Sequence, residues 1–332
     1  MKKLKLIVIG CGSHSLENII PSLAAIPYVE IITICDNNEI ALSKVKNWFP
    51  DANFLNKENY EKEDFCGHDA VIVAGTPQLH TDISGKCLEM GIPIFVEKPP
   101  SVTTNELEMM AKLASENKVV TCVGHNLRHS NGAIEFQKLL QSKGFGKPIA
   151  MEMRYMASKP RGVRWGLNSP IRSFLLSHAN HAIDLMIYQM GRIKKTVAAR
   201  AWPDVQGGVA ITVQFIFESG AIGNLLASSY APYFTVDLSV LSDTGSLAKM
   251  NGLREVILTG GEEQNKRWHK QWTARTLETG FHYAGYQTEL EAFFNAIESS
   301  TNNLHLVHPS FQDEVEIYHA MDAIEKSIND NQ

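Results

Sequence analysis

"LKLIVIGCGSHS", residues 4–15, decides the fold. Leu6–Ile9 is an unbroken apolar run, Gly10 and Gly12 follow at once, and "LENIIPSLAAI" (16–26) then takes up a helical pattern. A strand that is apolar without alternation is buried on both faces, as in a parallel sheet covered by crossover helices. Glycines between strand and helix permit a tight turn, let backbone approach a pyrophosphate, and leave N–H groups at the positive helix end. Ser15 stands where a third glycine is usual, so the motif takes its meaning from its strand–turn–helix setting.

The pattern repeats along the first 125 residues. "EIITICD" (30–36), "DAVIVAG" (69–75), "IPIFVEK" (92–98) and "VVTCVGH" (119–125) read as strands. "EIALSKVKNWF", "HTDISGKCLEM" and "TNELEMMAKLASENK" read as the helices between them. This is a doubly wound α/β domain over residues 1–125. From about residue 147 the texture changes. "KPIAMEMRYMAS", "VAITVQFIFES", "AIGNLLASSY", "FTVDLSVLSD" and "GSLAKMNG" are strands joined by turn residues, and helices are expected at "RSFLLSHANHAIDLMIYQMG", "GYQTELEAFFNAIES" and 312–327. The expectation for 126–332 is an α+β domain with a mainly antiparallel, open sheet.

The 332 residues carry a net charge of −5, and no run of Lys or Arg exceeds two. That excludes a polyanion footprint, so nucleic acid is not an expected partner. The apolar stretch near the start is too short for a signal or membrane segment, and a cytoplasmic protein without a membrane partner is expected. Five cysteines without a C-x-x-C pair argue against a disulfide frame or a cysteine zinc site.

Candidate cofactor contacts begin with Gly10, Gly12, Ser13 and His14. Asp36, in "ICDNN", ends the second strand, where a carboxylate can accept both hydroxyls of an adenosine ribose or else cap the next helix. No arginine follows it to hold a 2′-phosphate, which favours NAD over NADP. "TPQLH" ends the fourth strand at the sheet's carboxyl edge. Thr76, Pro77 and His80 there are cofactor neighbours, His80 having packing as its alternative. Glu97 and Lys98 end the fifth strand ahead of two prolines, a place from which a lysine can donate to a substrate oxygen. Asn126, Arg128, Arg164, Trp165, His178 and Tyr283 are candidate substrate contacts, the Arg- and Trp-bearing loop suiting a sugar face or an anionic group or else being a solvated lid.

G-x-G with its following acid, "TPQLH", "EKP" and a helix ending H-x-x-D together resemble the glucose-fructose oxidoreductase, inositol dehydrogenase and rhizopine catabolism (Gfo/Idh/MocA) family over essentially the full length. The resemblance implies an N-terminal Rossmann domain for NAD or NADP, a C-terminal sheet forming the substrate cleft, and a homodimer or homotetramer. It implies hydride exchange with a secondary alcohol or ketone of a sugar or polyol, with the lysine of E-K-P and a D-x-x-x-H pair around the carbinol. His181 aligns with the family's histidine and Asp184 with the acid behind it.

That bears on "LLSHANHAIDL", residues 175–185. Two histidines three apart supply too few ligands for a metal, and none is expected. On an α-helix Ser177, His181 and Asp184 share a face, and an imidazole suits proton transfer near neutral pH. A core histidine is the alternative. Ser177 departs from the family pattern, standing where it has aspartate, so the catalytic set reads Lys98, His181, Asp184 and Ser177. The departure also admits an NAD-holding sensor or scaffold, or redox-neutral sugar chemistry with the cofactor retained.

Overall fold

The computed structural model describes residues 3–203, 207–263, 266–273, 284–299 and 309–330. The first compact unit takes residues 1–126 and 286–315, the second 127–285 and 316–332.

In the first unit β1 (Leu4–Ile9), β2 (Val29–Asp36), β3 (Asn53–Asn56), β4 (Ala70–Val73), β5 (Ile94–Glu97) and β6 (Thr121–Gly124) form one parallel sheet in the order β3-β2-β1-β4-β5-β6. Strands β4, β5 and β6 are buried at every residue, which is why they carry no polar alternation. The first connection is a π-helical turn, Ser15–Ile19, running into α1 (Ile20–Ala24); α2 (Glu39–Val45), α3 (Pro77–Met90) and α4 (Thr104–Glu116) follow. Their starts are set by side chains that accept from otherwise orphaned N–H groups: Asn38, Thr76 and Thr103. Strand order reverses at β1, between β2 and β4. At such a switch point the ends of neighbouring strands diverge and leave a crevice for ligand.

In the second unit β7 (Pro148–Met156), β8 (Ile193–Pro203), β9 (Val209–Phe217), β10 (Ile222–Ser228), β11 (Thr235–Ser242), β12 (Leu247–Asn251), β13 (Glu255–Glu263) and β14 (Lys266–Thr273) form a mixed sheet. The order is β14-β13-β12-β11-β7-β10-β9-β8, antiparallel except where β7 and β10 run parallel. Alternating burial along β7 and β9 shows one face packed and one open. Helices α5 (Asn131–Leu140), α6 (Pro170–Phe174) and α7 (Asn180–Met190) belong to this unit, with a π-helical turn, Leu175–Ala179, joining α6 to α7. Strand β14 is the edge of this sheet on one side and β8 on the other.

A division at 125/126 leaves out one feature. Helix α8 (Tyr286–Glu298) lies in the first unit, where Leu290, Phe293 and Phe294 are fully buried among Leu6, Val8, Ile20, Ile72 and Phe95. Phe293 stands 6.0 Å from the Phe95 ring and Phe294 6.5 Å from Tyr28. The chain then passes β6, where Val123 N–H donates to the Pro309 carbonyl and Phe311 N–H to Thr121 Oγ1, and enters α9 (Phe311–Asn329).

Candidate functional site

The glycine turn is closed from behind and open in front. Gly10 has φ +97°, and a Cβ there would stand 2.2 Å from the Ala74 carbonyl oxygen. Its N–H donates to the Cys35 carbonyl, so the turn is clamped between β2 and the end of β4. Around Gly12 no heavy atom lies within 4 Å of a Cβ position. That open side is where a pyrophosphate would need backbone access, at the start of the helical segment.

Asp36 joins the two loops at the switch point. Its Oδ2 accepts from Cys11 N–H at 2.6 Å and its Oδ1 from Asn38 N–H at 2.7 Å. The helix cap is therefore Asn38, whose Oδ1 accepts from Ile40 and Ala41 N–H, while Asp36 faces the cleft. A carboxylate has about four lone-pair sites, so two remain for a diol. The cleft has a volume of about 760 Å³ and brings together Gly10, Gly12, Ser13, His14, Asp36 and Thr76. Pockets for small molecules and cofactors run to roughly 300–1,000 Å³, and the donor set fits a dinucleotide. Sequence reasoning missed Lys57, Asn59 and Tyr60, which close the far side. Lys57 reaches both Asp64 oxygens at 2.5 Å, so its charge is already met.

Two expected cofactor neighbours, Pro77 and His80, lie in the first turn of α3. Pro77 is buried as the first residue of α3. His80 is fully buried, with Nε2 accepting from Gly75 N–H at 2.8 Å and Nδ1 on the Pro99 carbonyl at 2.9 Å. A donor before one nitrogen and a carbonyl before the other fix a neutral imidazole with nothing left for a ligand, and burial pushes its pKa down to about 4. His80 ties the β4 turn to the "EKPP" turn. Glu97 is buried beneath Gly124 and lies 3.1 Å from His14 Nε2. Burial alone would raise this carboxyl, but His14, with Lys98 and His80 nearby, holds it below its ordinary value. His14 also meets the Tyr286 ring edge-on at 5.6 Å. Lys98 follows directly, half-buried.

The second unit rearranges the expected catalytic helix. In the π turn Asn180 N–H reaches back to the Leu175 carbonyl, and Ser177 Oγ donates to Ser173 O at 2.5 Å while Asn180 Nδ2 donates to Leu176 O at 2.7 Å. Ser177 and His181 are nearly buried. Asp184 is fully buried in a bidentate pair with Arg128, Nε to Oδ2 at 3.0 Å and a guanidinium NH₂ to Oδ1, and Arg128 lies over the Tyr188 ring. Arg128 is thus a partner of Asp184, and Asp184 answers first to Arg128. His178 Nδ1 lies 3.2 Å from Tyr155 Oη. Arg164 is exposed, its N–H on Ser173 Oγ; Trp165, half-buried, has φ +53°; Asn126 is buried in the first unit. Tyr283 lies outside the described residues. Among those residues no group of three His, Cys, Asp or Glu is placed to hold a metal, and no helix is long and apolar enough to cross a membrane.

Two family models match the chain: "Oxidoreductase family, NAD-binding Rossmann fold" over residues 4–125 and "GFO/IDH/MocA C-terminal domain" over 133–248. The chain is similar to scyllo-inositol 2-dehydrogenase (NADP(+)) IolW of Bacillus subtilis (strain 168), 25% identical over 180 residues, or 52% of this chain and 49% of that protein. It is equally similar, 25% over 206 residues and 58% of each, to scyllo-inositol 2-dehydrogenase (NAD(+)) of the same organism. The chain thus spans about half the length of the curated relatives it matches. A crystal structure of a dehydrogenase from Chromobacterium violaceum superposes with a TM-score of 0.92 at 29% identity, covering 100% of this chain and 97% of that one.

Two outcomes follow from the buried groups. Because the folded value of His80 lies below the ordinary 6.5, its contribution to stability is full above about pH 6.5 and is lost as pH falls toward 4. That loss is about 3 kcal/mol, so urea midpoints measured across this range should fall less steeply in His80→Leu than in the unmodified chain. Asp184→Asn should cost roughly 3–5 kcal/mol in denaturant unfolding by leaving Arg128 charged and unpaired, and Arg128→Met with Asp184→Leu should recover most of it.

Proposed function

Because the chain belongs to the Gfo/Idh/MocA oxidoreductase family, with an NAD-binding Rossmann domain in its first unit, we propose that it is an NAD-dependent oxidoreductase acting on a secondary alcohol or ketone of a sugar, polyol or sugar derivative. The observation that carries the cofactor choice is Asp36, whose carboxylate faces the cleft with lone pairs to spare beside a lysine already paired to Asp64. The named activity of the two inositol dehydrogenases supports the substrate class.

Bound NAD supplies the hydride acceptor. Gly12 and Ser13 would offer backbone N–H groups to the pyrophosphate, Gly10 shaping the turn with its own N–H on the Cys35 carbonyl, and Asp36 would accept from the ribose hydroxyls. Lys98 donates to the carbinol oxygen and stabilises charge as the proton leaves, a contribution felt mainly in the transition state. His181 is the imidazole that takes up that proton, by its alignment with the family histidine. The same reading carries a homodimer or homotetramer, for which the exposed Ile149, Ile222 and Leu226 of the second unit's sheet offer apolar area. Redox-neutral sugar chemistry is the second reading, favoured by one observation: position 177 has a hydroxyl turned to a helix carbonyl where the family has a carboxylate.

A 2′-phosphate about 4 Å from Asp36 meets roughly 1–4 kcal/mol of repulsion per charge pair. Separate titrations should therefore find NADH bound about one to three decades more tightly than NADPH; equal affinities would remove Asp36 from ribose recognition. Cofactor absorbance followed over a panel of sugars and polyols tests the reaction itself. Turnover of at least one, lost in Lys98→Ala with NADH binding retained, is the expected result. Conversion of a sugar with no net change in NADH would select the redox-neutral reading.

A further inference from the structure

A carboxylate excluded from water needs a counter-charge, and Glu97 finds one in the turn of another strand. Its side chain ends β5 and is 6% exposed, while His14, in the turn after β1, brings Nε2 to 3.1 Å from its Oε1. Strand β4 lies between β1 and β5, so the imidazole spans the end of β4. His14 is itself 44% exposed and lines the cofactor cleft. The pair thus joins an interior anion to a group that the cleft can reach.

The His14 ring has room for one proton or two. Its Nδ1 faces the Asn18 side-chain amide at 3.3 Å, and that amide also donates to the His14 carbonyl at 3.2 Å. His80 meets a backbone N–H, which cannot turn away; a side-chain amide can rotate and present its oxygen to an Nδ1–H. The groups around His14 are Glu97 from β5, with Lys98 and His80 beside it, the Tyr286 ring from α8 at 5.6 Å, and Glu17 and Asn18 on its own turn. Glu97 is held ionised, below the ordinary carboxylate value, and His80, pushed down to about 4, is neutral near neutral pH. An imidazolium at His14 closes a charge pair with Glu97. A neutral ring leaves the carboxylate unopposed by it.

Resting on the oxidoreductase reading above, we propose that His14 senses the oxidation state of the bound cofactor, holding a proton beside the reduced nicotinamide and releasing it to solvent beside the oxidised one. On that reading Lys98 meets the carbinol that exchanges hydride, so the nicotinamide half belongs at the end of β5, where Glu97 and His14 meet. The ring of NAD⁺ carries a positive charge that NADH lacks. With His14 neutral, the Glu97 carboxylate attracts the cationic ring; with His14 protonated, that attraction is offset. The coupling is reciprocal, so bound NAD⁺ weakens proton binding at His14 by the factor by which the proton weakens NAD⁺. This proton comes from water and returns to it, and is separate from the carbinol proton taken up by His181.

The test titrates the full chain with NADH and with NAD⁺ from about pH 5.5 to 8.5, in the unmodified protein and in His14→Gln, and follows the His14 ring by NMR in both complexes. The preference for NADH over NAD⁺ should fall about tenfold as pH rises across this range, and should be flat in His14→Gln, as expected for one charge acting over several ångströms at a cleft surface. The His14 resonance should titrate at higher pH with NADH bound than with NAD⁺. A preference independent of pH, or one that changes equally in His14→Gln, overturns the proposal, as does one midpoint common to both complexes. If His14→Gln does not fold, the two midpoints decide alone. If neither form of the cofactor binds, the NAD reading fails and this proposal with it; binding of both forms without a proton-linked preference leaves that reading standing and removes the role of His14.

Discussion

The close approach of the Gly10 backbone to the Ala74 carbonyl is the constraint on which the first unit depends. No side chain fits between them, and the positive φ there is one that other residues adopt only with strain. Meeting both conditions lets β1 end in a turn tight enough to present Gly12 to the cleft and deliver Cys11 N–H to Asp36. The cleft is thus a consequence of strand order and one missing Cβ. Its floor is made by β1 and β4, and its far wall by the residues that follow β3.

Behind that turn a second layer of polar ties fixes the strand ends relative to one another. His80 fastens the β4 turn to Pro99, and Glu97 fastens β5 to the first helical turn through His14. The His80 tie is fully buried, so it is worth more than its surface equivalent and costs more when half is removed, whereas in the second tie the Glu97 carboxylate is buried and His14 is exposed. Lys98 inherits its direction from both, because it lies between Glu97 and Pro99. The rigidity of a site of this kind comes from residues that never touch a ligand.

In the second unit the π turn does comparable work. Widening the helix between α6 and α7 leaves carbonyls at Ser173 and Leu176 to which Ser177 and Asn180 donate. Ser177 is thereby drawn into the helix's own hydrogen bonding. His178, one residue on, points to Tyr155, while Asp184 is turned to Arg128. Ser177 and Asp184, expected to share a catalytic face with His181, thus answer to different partners.

Local pattern determined what period and composition can carry. The unbroken apolar strands, the glycines after β1, the acid after β2 and "EKP" after β5 each lie within a few residues of what they imply, and the parallel sheet, the cleft residues and the family followed from them. Tertiary structure alone decided the rest. Helix α8 fills the core of a unit whose other segment is residues 1–126, a choice made by where Phe293 and Phe294 find apolar surface to cover and not by any local signal. The burial of His80, the pairing of Asp184 with Arg128 56 residues away, and the seat of His178 on Tyr155 belong to the same class. A polar side chain takes whichever partner lies nearest once water is excluded, and nearness across a sheet is not written in sequence spacing.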